Sequence, residues 1–311
     1  MLKKVTQSDI SLLNIPDVTF NPIFIDISCQ STGANAVYYI YYKNQSPIIA
    51  FALFERYNKI ITPTHGYPFY SGIWFIDKKD YDIDLSDALH LLTEKYKSIS
   101  LILPPKIDDI RSFIWNGFKI INRYTYIKNC NDLSVKYDVK KNYKKAEKLN
   151  FNLTIEESLG NEWINYKNLL LRIGYNSKYL ISLETWINSL LKKKLVKFFK
   201  VSNSDKETLG SGIVLLNDAS KKGYFLLSFV DKSNIQSEIN SFLYIKIQKW
   251  LLENGFEFFD YLGANTKSIA EFKKRFNPKL QQYYIAKYSR SYNLSSSIKK
   301  WFKKVIIFFN I

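Results

Sequence analysis

Residues 256–276 read FEFFDYLGANTKSIAEFKKRF. The stretch begins as an aromatic strand, passes through a polar turn at Gly263, Ala264 and Asn265, and leaves it as a short helix carrying Phe272 and Lys273. A strand that runs through a glycine turn into a helix presents backbone N–H groups to a substrate, because the first N–H groups of a helix have no partner within it. Lys273 brings a cation to the same place. A packed core alone requires neither the turn nor the lysine.

The flanking segments set the fold class. Residues 239–254 give the strongest helical pattern, with Phe242, Leu243, Ile247, Trp250 and Leu251 on one stripe and Gly255 closing it. Strands are predicted at 151–155, 195–201, 210–216 and 224–230, and helices at 162–172 and 183–194. A strand at 256–262, a helix at 269–276 and a strand at 282–288 follow. A long helix between strands is the crossover of a βαβ unit, and this order predicts a mixed sheet with helices on both faces.

Upstream, strands at 37–42 and 48–54 flank the turn Lys43-Asn44-Gln45-Ser46. An aromatic loop at 67–72 (YPFYSG), a helix at 85–95, a strand at 99–103, a short helix at 108–116 and a strand at 119–128 complete this half. The halves echo one another, since Phe113 to Tyr124 and Phe272 to Tyr283 are both eleven residues. The lysine-rich helix 139–148 links them.

The 311 residues are 46% hydrophobic and 23% charged, a globular composition that as a prior suggests two domains. Lys+Arg number 45 and Asp+Glu 28, for a net charge of +17. That charge favours polyanionic partners, or it is a lysine-rich solvated surface; composition leaves both open. Cys29 and Cys130 fit no metal spacing and suit a reducing compartment. His65 and His90 lie near no GxSxG elbow and in no HExxH motif, which argues against a serine triad and a zinc site. MLKKVTQSDI does not read as a signal peptide, and no run of about 20 apolar residues would span a bilayer.

Gly210-Ser211-Gly212 at a strand entrance, the 224–230 strand, the 239–254 helix, and then Asp260, Gly263, Asn265, Ile269, Phe272-Lys273 and Phe276 together resemble the GNAT acyltransferase superfamily. More narrowly, the chain looks like its two-domain branch, the FemABX-type peptidoglycan aminoacyltransferases and a related acetyltransferase group. The basic helix 140–148 is similar to the one that opens the branch's second domain. The resemblance implies an α/β chain of two tandem GNAT-like domains, each a mixed central sheet flanked by helices, over residues 1–135 and 136–293, with a basic amphipathic tail over 294–311. Two positions depart from acetyl-CoA-using GNAT enzymes. Residues 232–240 lack the glycine-rich loop at the start of the long helix, and seven residues after Asn265 stands Phe272 in place of a tyrosine.

Acyl transfer to an amine develops negative charge on a carbonyl oxygen, which a cation or N–H donors about 3 Å away stabilise. Lys273 is the candidate catalytic group, by residue chemistry and by the resemblance. Asp260, Tyr261, Gly263, Asn265 and Phe272 are candidate substrate-binding residues, with Tyr70 in the aromatic loop and Lys144 and Lys145 on the basic helix facing a diphosphate or tRNA backbone. No metal and no tightly bound cofactor is expected; the donor is aminoacyl-tRNA or acyl-CoA.

The expected reaction is direct transfer of an acyl or aminoacyl group to an amine of a cell-envelope precursor, a peptidoglycan or surface-glycan intermediate. An acyl-CoA-dependent N-acyltransferase acting on an amino sugar and a non-catalytic module binding RNA or anionic membrane stay open beside it. In the tail, Ile298, Trp301, Phe302, Val305, Ile306 and Phe309 form one stripe opposite Lys299, Lys300, Lys303 and Lys304. Residues 296–311 therefore read as an interfacial helix on anionic lipid, or as a helix docked on the body. The expected location is cytoplasmic, peripheral at the inner face of the membrane.

Overall fold

The computed structural model describes residues 1–62, 70–77, 81–231 and 235–291. The tail 294–311, residues 67–69 of the aromatic loop and residues 232–234 lie outside them. In chain order the first elements are β1 (Leu2–Val5), α1 (Gln7–Ser11), α2 (Pro22–Thr32), β2 (Asn35–Lys43), β3 (Ser46–Glu55), β4 (Lys59–Ile61), β5 (Gly72–Phe75), α3 (Tyr81–Lys95), β6 (Ser98–Leu103), α4 (Arg111–Trp115) and β7 (Lys119–Asn129). They are followed by α5 (Tyr137–Lys148), β8 (Asn152–Glu156), α6 (Trp163–Arg172), α7 (Ser177–Lys192), β9 (Val196–Ser202), β10 (Thr208–Asn217) and β11 (Lys222–Val230). The last are α8 (Gln236–Glu253), β12 (Phe258–Asp260), α9 (Lys267–Lys274) and β13 (Lys279–Ser289).

The chain forms two compact units, both discontinuous in sequence. The first comprises Met1–Ile15, Gly33–Asn122 and the chain from Tyr283; the second comprises Pro16–Thr32 and Arg123–Gln282. This grouping differs from a single cut after residue 135. Residues 16–32 join the second unit because α2 packs on α7, where Ser28 Oγ accepts a 3.0 Å bond from Trp186 Nε1. From Tyr284 the chain returns to the first unit by pairing β13 antiparallel with β6.

In the first unit the strands run β1-β2-β3-β4-β6-β13, with β5 on β3. The β4–β6 pair is parallel and its neighbours antiparallel, so the sheet is mixed. Asn44 and Gln45 at φ 49° and 66° make the two-residue turn that joins β2 to β3. The core gathers Ile49, Phe51, Leu85, Leu89, Leu92, Leu101 and Phe113.

In the second unit the order is β7-β12-β11-β10-β9-β8, antiparallel except for the parallel β11–β12 pair that the α8 crossover allows. Gly255 at φ 78° ends α8: its N–H bonds Leu252 O and the Phe256 N–H bonds Leu251 O, which satisfies two end carbonyls. Phe242, Phe259 and Phe276 are each at most 1% exposed, and burying such a side chain stabilises by about 1.5–3 kcal/mol.

Gly210 and Gly223 let α8 approach the sheet closely, and Gly212 makes room for Phe225 of the adjacent β11. A Cβ on Gly210 would meet Ile239 at 2.9 Å, one on Gly212 would meet Phe225 at 2.6 Å, and one on Gly223 would meet Leu251 at 2.9 Å. Only hydrogen fits at these positions.

Candidate functional site

The 256–276 stretch is a strand, a turn and a helix, but the strand is short. β12 ends at Asp260 because Leu262 and Gly263 both take left-handed backbone, φ 47° and 56°, which turns the chain out of the sheet. This bend points three successive carbonyls at one spot, and Lys273 from α9 fills it. Its Nζ donates to Tyr261 O at 2.7 Å, to Leu262 O and to Gly263 O at 3.1 Å. An ammonium has three N–H bonds, and all three are used. Lys273 is 9% exposed; burial pulls its pKa down from 10.5 to about 8, and the Asp260 carboxylate pulls it back up.

The other polar groups of the turn also face inward. Asp260 is fully buried; Oδ1 accepts from Thr125 Oγ1 at 2.5 Å and from Leu262 N at 3.0 Å, and Oδ2 pairs with Lys222 at 3.2 Å. Asn265 is exposed, yet its amide clasps one peptide unit: Oδ1 accepts from Tyr124 N at 2.8 Å and Nδ2 donates to Tyr124 O at 3.2 Å. Tyr261 is 1% exposed, and its hydroxyl has no hydrogen-bond partner among the described residues. The structure thus brings Asp260, Tyr261, Gly263, Asn265 and Lys273 together in one turn, where the Asp260, Asn265 and Lys273 side chains are bonded within the protein.

The remaining sequence candidates lie elsewhere. Tyr70 is buried in the first unit, edge-on to Tyr283 at 5.7 Å. Lys144 is exposed on α5. Lys145 pairs with the buried Glu238 of α8 at 3.2 Å, which ties α5 to α8. Among the described residues no three His, Cys, Asp or Glu side chains are grouped to hold a metal ion, and no helix is long and apolar enough to cross a membrane.

Polar groups that face open space sit one strand over. The parallel pairing of β11 with β12 stops at Tyr224 opposite Asp260, while β11 continues to Val230. Residues 223–227 are buried, but 228–230 are only half-buried where β12 has turned away. There a cavity of about 350 Å³ opens. Arg172 of α6, Ser228 and Asp231 at the end of β11, and Gln236 and Asn240 in the first turns of α8 line it. The N-cap residue of α8, Ile235, makes no side-chain capping bond. The cavity wall thus carries one cation, Arg172, and one carboxylate, Asp231, next to the first turns of α8.

A phenol reaches the cavity wall by a route the sequence does not show. Tyr244 of α8 is 3% exposed; burial raises its pKa, and the Ser228 side chain beside it lowers it. The Tyr244 ring lies edge-on to Phe272 at 5.3 Å and stacks on Phe276 at 4.8 Å. Phe272 has no proton to give, but the side chain packed against it does. Arg172, Ser228, Tyr244, Gln236 and Asn240 were all missed in the sequence. The available signal was Ser228, a polar residue inside the apolar run YFLLSFV.

No family model matches the chain, and no curated protein matches it in sequence. Solved structures do. FemX superposes with a TM-score of 0.64 at 14% identity, covering 91% of this chain and 96% of FemX. The chain shares the fold of FemX. A tandem GNAT protein from the clavulanic acid biosynthesis pathway matches with a TM-score of 0.55 at 5% identity, covering 93% of this chain and 98% of that one. L-PGS from Bacillus licheniformis matches at 0.52 and 12% identity, covering 87% and 92%. The mixed α/β fold read from the sequence is therefore present, and likeness at these identities concerns the fold.

Proposed function

We propose that the protein is an acyltransferase that moves an acyl or aminoacyl group onto an amine of a cell-envelope precursor, a peptidoglycan or surface-glycan intermediate. One observation carries the reading: β11 outruns β12, and the cavity that opens at its free end is lined by Arg172, Ser228 and the first turns of α8. Similarity to FemX and to a tandem GNAT protein supports it. In this reading the acceptor nitrogen attacks the donor carbonyl, a C–N bond forms, and the donor's C–O or C–S bond breaks. The amine's proton leaves to water or substrate. Arg172 and the α8 N-terminus hold the donor's phosphate, and the Ser228 hydroxyl, with the Tyr244 phenol beside it, bears a proton at the reacting carbonyl. Lys273 acts through the turn it closes, as a positioning residue, together with Asp260, Gly263 and Asn265.

The donor is aminoacyl-tRNA, with acyl-CoA the second reading. Residues 232–240 contain no glycine to let a CoA pyrophosphate approach the backbone, and Lys140, Lys141, Lys144 and Lys148 stand exposed on α5 as phosphate contacts for a tRNA. In the second reading the protein is an N-acyltransferase for an amino sugar. The deciding assay incubates the protein with a charged tRNA pool or an acyl-CoA panel and with nucleotide-linked muramyl peptides or amino sugars, read by mass spectrometry. An acylated acceptor is expected; no mass gain with any donor leaves the non-catalytic module as the surviving account.

A further inference from the structure

Between Trp163 and Leu183 the chain carries Lys167, Arg172 and Lys178 and no acid, and Glu162 and Glu184 bound the segment. The same segment exposes four aliphatic side chains: Ile164 59%, Leu171 40%, Ile173 64% and Ile181 65%. Ile164 and Leu171 are seven residues apart, hence on one face of α6, with Lys167 between them. Ile173 lies in the connection from α6 to α7, and Ile181 sits about one turn into α7. The opposite side of both helices is spent on the core through Trp163, Tyr166, Leu170, Leu180 and Leu183. Aliphatic exposure and positive charge therefore coincide at one corner of the second unit, the corner formed by α6, α7 and their connection.

We propose that the α6–α7 corner is a docking surface for an anionic lipid bilayer. The charge decides the occupant. A second copy of the chain would set Lys167, Arg172 and Lys178 against themselves across a two-fold axis, which like-charge repulsion opposes. A nucleic acid would satisfy the cations but offer isoleucine and leucine nothing to bury, and binding of single strands relies on aromatic stacking instead. A bilayer with anionic headgroups satisfies both, because the aliphatic side chains enter the headgroup–acyl boundary while the cations meet the phosphates. Leu169 and Arg172 of the same helix line the cavity, so docking brings that cavity to the lipid surface. The inference goes beyond the transfer chemistry and does not depend on it.

The test is sedimentation of the full chain with vesicles of phosphatidylcholine alone and of phosphatidylcholine mixed with phosphatidylglycerol. The wild type is expected to pellet with the mixed vesicles only. The double variant Ile173→Asp/Ile181→Asp, with thermal midpoint unchanged because both residues are exposed, is expected to bind at least ~10-fold more weakly. Lys167→Glu and Lys178→Glu should each weaken binding about fivefold or more. Wild type that ignores mixed vesicles, or aspartate variants that bind them like wild type, overturns the proposal. So does a chain ending at residue 291 that no longer binds while the aspartate variant does, or a wild-type dimer that these variants convert to monomer in light scattering.

Discussion

The turn between β12 and α9 and the free end of β11 are neighbouring regions of one unit with opposite polar economies. In the turn, three carbonyls take the three N–H bonds of Lys273, Asp260 accepts from Thr125 and Leu262, and Asn265 clasps the Tyr124 peptide unit. At the end of β11, Arg172, Ser228, Asp231, Gln236 and Asn240 line a cavity. Glycine, asparagine and lysine in a strand–turn–helix are the residues a substrate site uses. They are also what two consecutive left-handed residues require, because the bend strands carbonyls that must be bonded. Polar side chains spent on their own turn mark the support, and polar side chains in a cavity wall mark the place where a ligand can act.

The contrast breaks most visibly at Lys273. Lys273→Met would leave three buried carbonyls unpaired, at about 1–3 kcal/mol each, and recover about 3 kcal/mol by no longer burying a charge. A net loss of about 3 kcal/mol is expected in urea unfolding, and an unchanged midpoint with selectively lost transfer would instead make Lys273 a chemical group. The pH dependence has a definite sign. With the folded pKa near 8 against 10.5, the unfolded chain keeps the proton between those values and the folded chain gives it up. The lysine's unfavourable contribution is thus complete below pH 8 and is relieved as pH rises towards 10.5. Wild-type stability should gain up to about 3 kcal/mol over that window relative to Lys273→Met.

Next in size is the far side of the contrast. Tyr244→Phe keeps the ring that packs on Phe272 and Phe276 and deletes the hydroxyl beside Ser228. Transfer is expected to fall about 100-fold with the unfolding midpoint unchanged. Ser228→Ala should do the same, and the pair together should be no worse than either alone, since the two act as a unit. Independent, additive losses would place Tyr244 outside the site. Arg172→Glu, at an exposed position, should cost about tenfold in transfer through a raised KM for the donor, with unfolding unaffected. The smallest effect sharpens the comparison from within the turn. Tyr261→Phe removes a buried hydroxyl that has no partner and should leave stability unchanged or raise it by about 0.5–1 kcal/mol.

Much of the fold was legible because periodicity and punctuation agree with tertiary structure. The stripe at 239–254 became α8, Gly255 supplied its left-handed cap, and Asn44-Gln45 made the expected hairpin turn. The helix at 22–32, PIFIDISCQST, stayed hidden: its isoleucines, serines and threonine are weak helix formers, and packing on α7 is what fixes it. The strand expected at 256–262 shortened to three residues because Leu262 takes a conformation that leucine seldom adopts. The candidate site was legible by residue type and not by direction. No spacing rule says that Lys273 points at carbonyls ten to twelve residues back. Tyr244 hid for the opposite reason, as an aromatic on a helix rich in them, and only the packing of α8 on β11 sets its hydroxyl beside Ser228.

The central claim, that the donor binds at the free end of β11 and the 256–276 turn is its support, is open to one direct measurement. Amide hydrogen exchange would be followed by mass spectrometry with the protein alone, with an aminoacyl-tRNA pool and with acetyl-CoA. One of the two donors should slow exchange in peptides covering 228–231 and 235–240, leaving those covering 261–275 as they were. Protection confined to 261–275 would contradict the claim and return the chemistry to Lys273.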